Sequence, residues 1–170
     1  MANRQFVFLN NSDTLIAALK QMLEFVETNL PASTRAGKTI FNAKVVLTEL
    51  LTNSIKHSGS SDTLITIEAR NSSLLITKTD TGNPLSLIDN DLSSTKKPIT
   101  NDILHTLYAV SERNDHLHFV CEENKMEDIL AIDDIVEHFG LLIITKAADN
   151  FTYSYDHSTK SNIFKVILNY

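Results

Sequence analysis

The chain has 170 residues, 42% of them apolar and 21% charged; that is the size and balance of one ordinary domain with a proper core, and it excludes a disordered chain. A formal net charge of −6 argues against a nucleic-acid binder, which would show a basic face, and the single cysteine, Cys121, excludes an intrachain disulfide and reads as a small buried hydrophobe. "MANRQFVFLNNSD" holds no apolar run long enough for a signal peptide, and no segment approaches the roughly 18 apolar residues of a membrane span, so a soluble cytoplasmic protein is expected.

In chain order, "QFVFLNN" predicts a short first strand, after which Ser12 or Asp13 can cap a helix. Leu15, Leu19, Met22 and Val26 recur at helical spacing, with Ile16 and Leu23 beside them, and Pro31 ends the element. A second, longer helix runs from about Gly37 to His57 and stops at Gly59, a good C-terminal signal. "TLITIEAR" and "LLITKTD" alternate around the turn "NSS", a hairpin. From Asn83 to Thr100 polar residues and two prolines dominate, predicting a long loop. Beyond it "NDILHTLYAVSE" predicts a helix, "HLHFVCEE" a strand, "MEDILAIDDIVEHF" a helix and "GLLIITKAADN" a helix. "FTYSYDH" and "NIFKVILNY" form a closing hairpin around "STKS". There are no internal repeats. The chain reads as one domain over 1–170 with a variable lid or insertion at about 84–137. The expected fold is α+β, a two-layer α/β sandwich whose mixed, mostly antiparallel sheet carries its helices on one face.

Three stretches carry chemistry. On the second helix, at about 100° per residue, Glu49, Asn53 and Lys56 fall within about 60° of one another with His57 at the edge, while Leu47, Leu50, Leu51 and Ser54 face the core. "DTGNP", Asp80 to Pro84, closes the second strand of the first hairpin; alone it is a common turn. Gly140 opens a helix, where a glycine lets phosphates approach free N–H groups at the positive helix end. His105, His116, His118 and His157 read as ordinary surface or core histidines; His116 and His118 alternate on a strand, but no third ligand is placed.

In this order the three stretches resemble the N box, first glycine box and second glycine box of the histidine-kinase-like ATPase superfamily, and most closely its bacterial anti-sigma-factor serine/threonine kinases. "NAKVVLTELLTNSIKHS" is a close match to the N box, "DTGNP" a good match to the first glycine box and "FGLLIITKAADN" a partial match to the second. The resemblance implies ATP and Mg²⁺ as cofactors. It implies Asn53 as the magnesium ligand, for which one amide oxygen suffices because Mg²⁺ keeps several waters. It implies Glu49 as general base or orienter of the attacking hydroxyl, and Lys56 and His57 near the phosphates. Asp80 would accept from the adenine amino group, Gly82 would let backbone pass close to the base, and Gly140, followed by Leu141, would cradle phosphate. The second box commonly reads Gly-x-Gly-Leu; here His138 stands at the first glycine. The segment between Asp80 and Gly140 is longer than expected, and acidic near its end (Glu122, Glu123, Glu127, Asp128, Asp133, Asp134, Glu137).

Two functions follow. One is an ATP- and Mg²⁺-dependent signalling enzyme that transfers the γ-phosphoryl group to a serine or threonine of a partner, an anti-sigma antagonist, and that also sequesters a sigma factor. The other is a domain whose nucleotide site has decayed and which regulates by docking a protein partner. Neither involves nucleic acid or membrane. Homodimerisation is expected from the resemblance alone.

Overall fold

The computed structural model describes residues 2–31, 36–85, 87, 96–113, 116–124 and 138–170. Strand β1 (Ala2–Leu9) is followed by helices α1 (Ser12–Asn29) and α2 (Ala36–His57), strands β2 (Asp62–Ala69), β3 (Ser73–Asp80), β4 (Lys96–Asn101), β5 (His105–Arg113) and β6 (His116–Glu123), helix α3 (Phe139–Ala147), and strands β7 (Asn150–Asp156) and β8 (Ser161–Asn169). The strands form one eight-stranded sheet in the order β1-β2-β3-β8-β7-β6-β5-β4, so strands from both sides of the variable region share a sheet. Among the described residues no helix is long and apolar enough to cross a membrane.

Each element follows from its pattern. In β1, Phe6 and Phe8 turn inward while Val7 and Leu9 stay exposed, the period of two of a half-buried strand. The α1 cap is Asn11 rather than Ser12 or Asp13; its side chain accepts from the Asp13 N–H at 2.9 Å. The helix stops where Leu30 turns extended ahead of Pro31. Helix α2 buries Thr39, Ala43, Val46, Leu47, Leu50, Leu51 and Ser54, and ends before Gly59, which takes the left-handed φ of 68° that favours glycine. Inward positions of β2 (Ile65, Ile67), β3 (Leu74, Ile76), β5 (Leu107, Ala109), β6 (Leu117, Phe119), β7 (Phe151, Tyr153) and β8 (Phe164, Val166, Leu168) complete the core with Met22 and Val26 of α1 and Leu141, Leu142 and Ile144 of α3.

The expected two-layer α/β sandwich with a mixed sheet is overturned. Among the described residues every strand pairing is antiparallel, and eight strands stand against three helices, a mostly-sheet fold. The difference arises in the variable region. The predicted loop contains β4, which pairs with β5 around a register shift at Pro98/Thr100. The stretch predicted as the helix "NDILHTLYAVSE" is instead the end of β4, a turn and β5. There Asp102 accepts from the N–H groups of Leu104 and His105, and Leu107 and Ala109 alternate inward. Tertiary pairing to β6 thereby overrides helix-compatible composition. The helix predicted over "MEDILAIDDIVEHF" falls, up to position 137, outside the described residues.

Helices α2 and α3 pack together, and α3 is tied down at its far end. Asn42 of α2 donates to the carbonyl of Ala147 at 2.8 Å, and Lys146 pairs with Asp102 at 2.7 Å.

Candidate functional site

Glu49, Asn53 and Gly140 come together across about ninety residues of sequence. A Cβ placed on Gly140 would stand 2.8 Å from Glu49 Oε2, 3.2 Å from Asn53 Nδ2 and 3.3 Å from Asn53 Oδ1, so the polar ends of the α2 stripe converge on the bare backbone at the start of α3. His138 precedes this turn with φ of 70°, a left-handed conformation easy for glycine and unusual for histidine. Lys56 and His57 are exposed on the last turn of α2. Leu141 is buried in the core behind Gly140.

The second corner lies at the end of β3. Asp80 and Lys78 share the inward parity of Leu74 and Ile76, and both are 4% exposed. Asp80 Oδ2 accepts from Lys78 Nζ at 2.7 Å; Oδ1 accepts from the Gly82 N–H at 3.0 Å and from Asn162 Nδ2 at 2.8 Å. Asn162 stands directly across the β3–β8 ladder from Asp80, and its amide also donates to the carbonyls of Gly82 and Asn83. Its oxygen accepts from Tyr153 Oη at 2.7 Å, and that hydroxyl accepts from the Leu85 N–H. The turn after β3 is thus clasped to β7 and β8. Gly82 meets the carbonyl of Ser58 at the end of α2 so closely that a Cβ would lie 1.7 Å from that oxygen. Burial holds the Lys78 ammonium below the ordinary lysine value, with Asp80's charge and hydrogen bond offsetting part of the shift.

At one corner the residues present are donors of the type a magnesium ion takes; at the other they do not fit an adenine. Asn53 and Glu49 supply a hard amide oxygen and a carboxylate, donor types that suit Mg²⁺, packed directly against the bare backbone of Gly140. Asp80, by contrast, already holds three donors, one of them a charged ammonium. Among the described residues no group of three or more His, Cys, Asp or Glu side chains is placed to hold a metal ion. A cleft lined by Asn29, Arg70 and Tyr170 lies at the other end of β2 and β3, away from both corners.

Lys78, Asn162 and Tyr153 were not among the site residues expected from sequence. The signal existed as parity: Lys78 falls in step with Ile76 and Asp80, and Asn162 with Phe164, Val166 and Leu168, each a polar residue on an apolar face. No protein-family model matches the chain, and no curated protein matches it.

Proposed function

We propose that the chain is a regulatory module related to the histidine-kinase-like ATPases that keeps a phosphate corner but has closed its base end, and that it acts by docking a protein partner rather than by ATP-driven phosphoryl transfer. The observation that carries this reading is the buried Lys78–Asp80 pair. A neutral exocyclic amine reaching Asp80 must compete with an ammonium at 2.7 Å, and charge-assisted hydrogen bonds are about twice as strong as neutral ones. What supports the docking half is the exposed apolar side chains around the anchored end of α3. Phe41 is next to Asn42, which bonds Ala147, and Ile103 and Leu104 follow Asp102, which bonds Lys146. By the resemblance, the partner is an anti-sigma antagonist or a sigma factor.

The converging Glu49, Asn53 and Gly140 favour a second reading, the Mg²⁺-ATP-dependent serine/threonine kinase. Calorimetric titration with ADP and a non-hydrolysable ATP analogue, with and without Mg²⁺, separates the two. The docking reading expects no binding heat at high micromolar nucleotide. Magnesium-dependent binding that disappears in Asn53→Ala would sink it and establish the kinase reading.

A further inference from the structure

Among the described residues, Lys78 and Asp80 are the charged side chains of the core. Their surroundings are organised independently of the lysine. The Asp80 carboxylate is oriented by Gly82 N–H and by Asn162, whose own position is fixed by Tyr153 and two loop carbonyls. The Phe164 ring, whose centroid is 4.7 Å from Lys78 Nζ, is held by Tyr153 at 4.8 Å and Phe151 at 6.3 Å between centroids. A carboxylate oxygen and an aromatic face, each held by other contacts, make a preformed cradle for a small cation, because both attract positive charge most strongly where water is absent. On a strand position in step with Leu74 and Ile76, an aliphatic residue would bury with no desolvation cost.

We propose that Asp80, Asn162 and Phe164 form a binding site for a primary alkylammonium cation, and that the chain fills it with its own Lys78 as a tethered internal ligand. The consequence for Asp80, its withdrawal from external donors, rests on the closed-base-end reading above; the cradle itself does not.

Lys78→Ala deletes three methylenes and an ammonium, the atoms of n-propylammonium. The experiment is thermal melting of Lys78→Ala with n-propylammonium chloride up to about 100 mM, against sodium chloride of equal ionic strength and against uncharged n-propanol. If n-propylammonium binds with a dissociation constant near 10 mM, the variant's melting temperature rises by about 3–5 °C over both controls. Wild type, its cradle already filled, does not respond, and Lys78→Ala/Asp80→Asn, which lacks the anion, is not rescued. If Lys78→Ala is unfolded in buffer, the same titration followed by circular dichroism reads refolding instead. The proposal is overturned if propylammonium does no more than sodium or propanol, or if it stabilises wild type equally. Magnesium-dependent nucleotide binding by wild type would sink the docking reading but would leave the amine rescue to be judged by its own result.

Discussion

Gly82→Ala tests whether the turn after β3 is seated on the end of α2 as tightly as the geometry says. An added Cβ would lie 1.7 Å from the Ser58 carbonyl oxygen and 2.7 Å from its carbon, both backbone atoms, so the two segments must part by about 1.5–2 Å to regain ordinary contact. The α2 side resists, because Ser58 is held by Ser54 through its N–H and hydroxyl and by Asn10 through its Oγ. The turn therefore moves. A shift of that size breaks the Gly82 N–H bond to Asp80 and the two bonds from Asn162 to the carbonyls of Gly82 and Asn83. At about 1 kcal/mol net for each, the loss is about 3 kcal/mol, or about 6–12 °C in Tm for a domain of this size. Thermal melting and urea unfolding measure it, with two other glycines as internal standards. Gly37→Ala meets nothing within 4 Å in the first turn of α2 and should not destabilise. Gly59→Ala, in open space but at φ of 68°, should cost about 1 kcal/mol. A Gly82→Ala protein melting within about 2 °C of wild type, on the same scale, would refute the seating of the turn on Ser58.

Gly140→Ala behaves differently, because its neighbours are the movable ends of Glu49 and Asn53. Stability should stay level or rise by up to about 1 kcal/mol from the helical alanine, and a melting loss as large as that of Gly82→Ala would contradict the contact pattern. Asp102 titrates at about 2, below its ordinary 3.8: partial burial raises it, and the Lys146 hydrogen bond, the Leu104 and His105 N–H groups and the Lys146 charge together outweigh that. Its folded value lies below its unfolded one, so its contribution is present above about pH 4 and is lost as pH falls toward 2. The stability difference between wild type and Asp102→Asn, read from urea midpoints, should therefore shrink from pH 5 to pH 2; a difference independent of pH would contradict the assignment.

Much of the fold was legible where local pattern and tertiary need agree. The β2–β3 and β7–β8 hairpins, the length of α2 and its buried Leu47, Leu50, Leu51 and Ser54 all follow from periodicity, because a sheet or helix face that buries one side writes that side into the sequence. The segment 101–112 reads as helix because Leu104, Leu107 and Tyr108 fit a helical face as well as a strand; the hairpin with β6, closed between Arg113 and His116, selects the strand. The closeness of Glu49 and Asn53 to Gly140 is not legible locally, since nothing in the sequence near Gly140 links it to α2; only the resemblance names the three together. The Lys78–Asp80 pair is hard to read from sequence because a lysine between two threonines looks like the solvent side of a strand. Its burial follows from its standing in step with Leu74, Ile76 and Asp80 on the inward face.

The Asp80–Asn162 pairing lies on the β3–β8 seam, where the strand ending at residue 80 is zipped to one that begins at residue 161. As the chain leaves the ribosome, β2 and β3 can pair early, but β3's second neighbour does not yet exist. Until β8 emerges, Asp80 has no Asn162, the turn after β3 has no clasp, and the inward face of Lys78 is open to water. The Asp80 corner is therefore completed only once β8 has been made. Removing β8 would strip the centre of the sheet rather than its margin.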